Sequence, residues 1–517
     1  MTSRLIRLFV AAVAVTVLAK PAAGQALPRA ADGKPDFSGI WQALNTANWN
    51  ILAHAAEKDL PAGLGVVEGD EIPYQPWAAA QQKENFVNRA TADPESKCFL
   101  PGVPRATYMP YPFQIFQTPA HIAITYEYVH AVRRVFMTGP HPGGIEWFMG
   151  DSRGRWEGDT LVVDVAQFTG QTWFDRNGNF HSPALHVVER YTPIDANHIN
   201  YEATIEDPNV FTRPWKMSMP LYRRLDPGMR ILEHECYAFG LEHTWLRPPA
   251  SGAQAIAAAD QGDQRPPAPA GGYTPARTPD GQPDLQGFWQ PIGTFYNIQD
   301  LEFQALYQDF NPDPARRGRS LIIDPPDGKI PYQPWALAKS NEILPHHAEP
   351  TPQYLDPNAR CFLQGVPRHL NNREFEIFQP AGHVVIFNMA HHTYRAIPLN
   401  AGPHISDRIK LWMGDSRGRW EGSTLVVDVA NNNDQPWFDV VGSFHSDALH
   451  VSERFVPINA DTIEYTAVIT DPKVYTRPWT MKLTFQRIKD YGSELYEEAC
   501  FESNERTLEL MLTRPGR

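Results

Sequence analysis

The chain has 517 residues, 42% of them hydrophobic, and a formal charge of −13 with no basic block. That balance argues against a nucleic-acid partner, since phosphate binding needs clustered Lys and Arg, and it leaves ample material for real cores. Forty-eight prolines, many aromatics and short alternating apolar runs point to a β-rich fold with frequent turns.

Residues 1–26 read as a signal peptide. Arg4 and Arg7 precede an apolar run from Leu8 to Leu18, and small residues come next at Ala22, Ala23, Gly24 and Ala26. The run is short for a bilayer, so the expectation is a mature protein outside the membrane, periplasmic or secreted.

Beyond this segment the chain is one unit written twice. Asp36-Phe-Ser-Gly-Ile-Trp41 returns as Asp284-Leu-Gln-Gly-Phe-Trp289, and Ile72-Pro-Tyr-Gln-Pro-Trp77 as Ile330-Pro-Tyr-Gln-Pro-Trp335. Cys98-Phe-Leu-Pro-Gly-Val-Pro-Arg105 returns as Cys361-Phe-Leu-Gln-Gly-Val-Pro-Arg368. The ten residues from Met149 to Gly158 recur unchanged from Met413 to Gly422. Repeat one is placed at 28–246 and repeat two at 278–517. The Pro/Ala/Gly-rich stretch 247–277 between them cannot bury a core and reads as a linker.

The four cysteines fall two per repeat at matching places, Cys98 with Cys236 and Cys361 with Cys500. In an exported chain the simplest pairing is one disulfide inside each repeat. No repeat holds a CxxC pair, so a zinc site on these thiols is the weaker alternative.

Within repeat one, the first sixty residues are irregular and proline-punctuated. Strands are expected over 115–128, 132–137, 160–165, 186–191, 198–205, 215–223 and 230–238, with a hairpin turn at Trp156-Glu-Gly-Asp159. Neighbours joined by short turns suggest an up-and-down meander that curls into a barrel to remove its edges. The fold class expected is all-β, with two tandem antiparallel barrels.

Gly39-x-Trp41 on the first strand, with Arg223 on the last, resembles the lipocalin or calycin pattern; repeat two offers Gly287, Trp289 and Arg487. The resemblance implies an Arg packed over the first-strand Trp, plugging one barrel end. The string Gly-Asp-Ser-x-Gly-Arg-Trp-Glu-Gly-x-Thr-Leu-Val-Val resembles a set of uncharacterised exported bacterial proteins and implies no activity. A tandem of such barrels is also similar in architecture to carotenoid-hydratase-like and Diels–Alderase-like proteins, although none of their site residues occurs here.

Five histidines recur in both repeats: His121/His383, His130/His392, His141/His404, His181/His445 and His186/His450. Around His186, strand alternation puts Leu185, Val187 and Glu189 on one face and His186, Val188 and Arg190 on the other. His181 is expected just before this strand, at the barrel rim. A histidine near neutral pKa suits general acid–base work, so His181, His186, Glu189 and Arg190 are the catalytic candidates, with His445, His450, Glu453 and Arg454 as their equivalents. Cross-strand ion pairs by Glu189 and Arg190 are the structural alternative. His121, His130, His141 and Arg153, with His383, His392, His404 and Arg417, are candidates for holding a ligand; Arg153 suits a carboxylate or phosphate. In Asp151-Ser-Arg-Gly-Arg-Trp-Glu157 the charges alternate onto one face, which opposite-charge pairing also satisfies.

No HExxH, HxH or recognised His–carboxylate spacing is present, so neither metal nor cofactor is expected. Gly150-Asp-Ser152-Arg-Gly154 has the spacing of a nucleophile elbow, but a hairpin and not a helix comes after it. Five tryptophans also recur, and core filling explains them more simply than sugar stacking. Three functions remain open. The first is acid–base turnover of a small apolar or aromatic metabolite, of hydratase, lyase or isomerase type. The second is periplasmic small-molecule binding without turnover. The third is a structural envelope role, favoured if side chains fill the barrels.

Overall fold

A computed structural model describes residues 27–58, 60–236, 273–293, 296–299, 320–347, 354–371, 373–400, 402–489, 497 and 500. The signal segment expected at 1–26 and most of the linker expected at 247–277 lie outside the described residues. The fold is all-β, with two tandem barrels.

Barrel one runs through β1 (Gly39–Ala43), β2 (Phe113–Gln117), β3 (His121–Tyr126), β4 (Val132–Phe136), β5 (Asp151–Glu157), β6 (Thr160–Ala166), β7 (His186–Pro193), β8 (His198–Glu206) and β9 (Trp215–Arg223). It closes because β1 pairs with both β2 and β9. The β5–β6 hairpin turns on Gly158 and Asp159, with Gly158 at φ 61°, the left-handed conformation that two-residue hairpins require.

The structure departs from the expected meander in three places. Strands β4 and β5 pair in parallel, joined by a long crossing loop, so the barrel is not purely up-and-down. The expected strand over 115–128 breaks into β2 and β3 around a turn. The strand expected at 230–238 does not form; residues up to 236 instead leave the barrel as a strap along the neighbouring domain, and 237–238 lie outside the described residues. Within the irregular N-terminal part, Pro76 opens helix α1 (Pro76–Ala92), since proline suits a first turn that needs no amide donor. A one-turn helix α2 (Arg105–Tyr108) comes next in repeat one, and in repeat two Pro334 opens α3 (Pro334–Ile343) in the same way.

Barrel two repeats the scheme with β10 (Gly287–Pro291), β11 (Ile322–Asp324), β12 (Phe375–Phe378), β13 (His383–Asn388), β14 (Tyr394–Pro398), β15 (Asp415–Glu421), β16 (Thr424–Ala430), β17 (His450–Asn459), β18 (Thr462–Thr470) and β19 (Trp479–Arg487). Its sheet is nearly closed, with β14 and β15 linked by the parallel bridge Leu399–Gly418. The Arg-over-Trp packing implied by the resemblance is present in both repeats. The Arg223 guanidinium lies 4.3 Å from the Trp41 ring centre, and Arg487 lies 4.2 Å from Trp289.

Each repeat holds its own disulfide, Cys98–Cys236 and Cys361–Cys500, spanning 138 and 139 residues. Closing so long a loop contributes roughly 2–5 kcal/mol. No described helix is long and apolar enough to cross a membrane.

The barrels pack through the outer faces of β2–β4 and β12–β14. Phe116 and Ala123 meet Phe378, Val385 and Phe387 in one apolar cluster. The contact is reciprocal. The His121 ring packs on Phe378 at 4.3 Å, and His383 packs on Phe116 at 5.2 Å. Glu233 accepts from the Trp412 and Met413 amides, while Glu497 accepts from Phe148 and Met149. The two repeats are therefore related like the halves of an isologous dimer within one chain.

Candidate functional site

The candidate residues separate into four environments. The first is the barrel interior. Alternation along β7 buries Glu189 and leaves His186 and Arg190 on the other face, as the sequence pattern requires. Glu189 receives both guanidinium nitrogens of Arg133, with Nη1 to Oε1 at 3.1 Å, and accepts from the Tyr201 hydroxyl at 2.7 Å and the Tyr191 hydroxyl at 3.2 Å. Arg133 Nε donates to Ser152 Oγ at 2.9 Å. Burial and the Glu189 charge push both phenols well above their ordinary range. Barrel two keeps this network as Arg395, Glu453, Tyr465 and Ser416, with Phe455 where repeat one has Tyr191. Glu189 and Glu453 are thus consumed by internal ion pairs and do not reach the histidines meant to work with them. A charge this deep is tolerated only when fully paired.

The second environment is the outer barrel face. His141 Nδ1 faces Asp151, and its Nε2 lies 2.9 Å from Asp164 Oδ1, which is also 3.0 Å from His186 Nε2. Repeat two has the same chain: Asp415 to His404 at 2.8 Å, His404 to Asp428 at 2.7 Å, Asp428 to His450 at 2.8 Å. Side-chain exposure rises along it from 4% at Asp415 to 45% at His450. Burial alone would raise the Asp428 carboxyl, but His450 and His404 hold it down at about 2. The same forces lower Asp164. Arg190 and Arg454 pair across strands with Glu157 and Glu421 at 2.8 and 2.9 Å, so the ion-pair alternative describes them. Arg153 and Arg417, expected to present a guanidinium to a ligand, instead grip Asp151 and Asp415 on their own strands. A forked donor two residues from a buried carboxylate finds its partner there.

His181 and His445 occupy the third environment, a buried loop and not an open rim. His181 Nε2 lies 2.7 Å from Thr172 Oγ1 and Nδ1 lies 3.0 Å from Ser182 O, with Phe168 and Phe174 beside the ring. Burial lowers its pKa, and His445 behaves alike. The structure therefore does not bring His181, His186 and Glu189 together, nor their equivalents.

The fourth environment is the domain junction, which gathers His121, His130, His383 and His392. His130 stacks on His392 at 5.2 Å, at the pseudo-twofold axis. Each sits in a left-handed turn between two strands, Val129-His130 at φ 44° and 45° and His391-His392 at φ 53° and 44°. Branched and bulky residues rarely take this conformation, so the turn is held in place by its surroundings. One holder is the strap, whose His234 carbonyl accepts from the Val129 amide at 3.1 Å. His130 Nδ1 is buried without a hydrogen bond, 3.5 Å from Glu235. Burial and the Arg134 charge lower His121 to about 4.

Between the barrels lies a cavity of about 280 Å³. Its walls come from β14, the Leu411–Ser416 stretch, Ile40 and Gln114 of barrel one, and the strap at 229–233, with His130 and His383 at its edge. The pseudo-symmetric position against β4 leaves only about 70 Å³. Aligned wall positions differ: Ala396, Pro398 and Leu411 on the open side answer to the larger Arg134, Phe136 and Trp147 on the closed side, whereas Tyr394 answers to the smaller Val132. Arg134 also reaches across the junction to Glu376.

Sequence reasoning missed Arg230, Glu233 and the wall residues of β14. A signal for the strap was available in the matched pair Glu233/Glu497, and for the wall in the size mismatch between otherwise duplicated segments. Among the described residues, no group of three or more His, Cys, Asp or Glu side chains is placed to hold a metal ion.

No family model and no curated protein matches the chain. Among solved structures, the chain is similar to a protein of unknown function from the DUF3598 family of Nostoc punctiforme, at 9% identity and a TM-score of 0.15. The match covers 76% of this chain and 98% of that one.

Proposed function

We propose that this is an exported small-molecule-binding protein, with one ligand site in the cavity between its barrels. The observation that carries the reading is the 280 Å³ cavity, bordered by Ala396, Pro398 and Leu411 where the duplicated half has the larger Arg134, Phe136 and Trp147. Ligand pockets usually fall at domain junctions and start near this size. The barrel interiors, filled by the Arg–Glu–Tyr networks, act as scaffold; that much fits a structural role for the barrels themselves. The two disulfides fit an oxidising compartment, in keeping with the signal segment read from the sequence. The ligand expected is a small, largely apolar or aromatic metabolite.

The test is a thermal-shift screen of the mature protein against such metabolites, repeated on Ala396→Arg and Leu411→Trp. Both variants copy the closed repeat. Stabilising ligands are expected for the parent and for neither variant. Equal shifts in all three proteins would remove the cavity from the account.

Acid–base turnover of hydratase, lyase or isomerase type stands as a second reading, favoured by one arrangement. The chain His450–Asp428–His404–Asp415 links an exposed imidazole to a carboxylate in the cavity wall. Conversion of a bound ligand, followed by mass spectrometry and lost in His404→Ala with binding retained, supports turnover. Bound ligand recovered unchanged from the parent contradicts it.

A further inference from the structure

The charges around the cavity point to its ligand. We propose that it selects a small monocarboxylate with an apolar body, and that Arg230 is the charge partner. This rests on reading the cavity as a ligand site and adds the chemical class.

Each charged group in the wall has its own account except one. Arg395 spends its nitrogens on Glu453 and Ser416 inside barrel two. Asp415 is satisfied within its own domain. Arg417 Nη1 donates to Oδ1 at 2.8 Å and its Nη2 lies 2.7 Å from Oδ2, the Ile405 amide adds a bond at 3.1 Å, and His404 Nδ1 lies 2.8 Å away. Glu233 holds the amides of Trp412 and Met413 with its two oxygens, and burial pushes its carboxyl up to about 8. It therefore adds little negative charge at neutral pH. Glu127 takes the strap amide of Leu232 at 3.0 Å and is not part of the wall. His130 faces Glu235.

Arg230 is left over. Its Nη1 lies 3.4 Å from Asp415 Oδ1, within ion-pair range of a carboxylate already served by Arg417, and no described residue accepts a hydrogen bond from it. Its charge helps to lower the pKa of His383, the cavity-edge imidazole, behind the larger effect of burial. Two guanidinium groups thus share one carboxylate beside the cavity, a surplus that an anion with two oxygens would balance. Gln114, Tyr394 and Ser416 add neutral polar groups to the lining, and Ile40, Ile231, Leu363, Pro398, Leu411 and Met413 supply its apolar part. The volume equals roughly nine waters of bulk liquid, which suits a single ring or a short branched chain. The repeat-two residue aligned with Arg230 is Glu494, so this cation belongs to one site alone.

The experiment is calorimetric titration of the mature chain with benzoate and 3-phenylpropanoate, and with their neutral amides, at pH 7 and low salt. A carboxylate is expected to bind at least tenfold more tightly than its amide. Arg230→Gln should bring it down to the amide, and Arg230→Lys should keep part of the preference. If amide and carboxylate bind alike and Leu411→Trp abolishes both, the carboxylate assignment is overturned while the cavity stands. A preference that survives in Arg230→Gln also overturns it. Binding of none of the four probes overturns the inference, and failure of the wider metabolite screen as well removes the cavity reading.

Discussion

The two sides of the domain junction carry nearly the same framework and very different space. Both have the internal Arg–Glu network, the Asp–His–Asp–His chain, the glutamate clamp on two backbone amides, and a left-handed His turn. Yet one cavity measures about 280 Å³ and the other about 70 Å³. Duplication has kept what holds the barrels in shape and together, while wall positions such as Ala396/Arg134, Pro398/Phe136, Leu411/Trp147 and Tyr394/Val132 have diverged. Under the proposed binding function, the shared residues form the frame and the unshared ones shape the site. That reverses the weight given to the recurrent histidines in the sequence.

The largest test of this division removes a framework carboxylate. Glu189→Ala and Glu453→Ala each leave a buried guanidinium unpaired, at a cost of about 3–5 kcal/mol. Urea unfolding of the two variants should show similar losses, because each loses the partner of the same buried Arg. A loss under about 1 kcal/mol at either would mean that barrel's interior is wetter than its geometry implies. Next come the wall variants. Ala396→Arg and Leu411→Trp should weaken ligand at least a hundredfold by calorimetry while leaving the unfolding midpoint within a few degrees.

A smaller effect distinguishes the two interiors. Tyr191→Phe copies Phe455 of barrel two and removes one hydrogen bond to Glu189, a loss of about 1 kcal/mol that chemical denaturation resolves. The clamp gives a pH signature. The Glu233 carboxyl is raised from 4.5 to about 8, so the folded state holds a proton that the unfolded chain has released. Its stabilising share is full below pH 4.5 and falls away as pH rises from there through about 8. Midpoints measured across that window should flatten in Glu233→Gln; an unchanged slope would place the pH dependence elsewhere. Asp428 has the opposite sign. Its carboxyl is held at about 2 against 3.8, so its share is present above pH 3.8 and lost as pH falls toward 2.

Much of the fold was legible because the repeat aligned its own landmarks. Matched cysteines gave the disulfides, Gly158 and Gly422 gave the hairpins, and alternation through His186–Arg190 put Glu189 on the face opposite His186 and Arg190, without telling which face turns inward. The site was legible only in pieces. Parallel pairing of β4 with β5 depends on a long loop whose course no local pattern dictates. The strap residues 230–236 have strand-like composition, but their partner is another domain. The junction left one overlooked trace: β3 and β13 are buried at nearly every position, where a one-sided strand would alternate. An unbroken apolar run such as Val384-Val-Ile-Phe387 marks a strand covered on both faces. The shared histidines misled because a ring that fills a junction, braces a loop or links two carboxylates is retained as firmly as one that moves protons.

The proposed function gives the duplicated frame one working cavity. Native mass spectrometry of the mature chain with a bound small carboxylate counts it directly. One ligand per chain is expected, falling to none in Leu411→Trp. Two ligands per chain, or one that persists in Leu411→Trp, would contradict it.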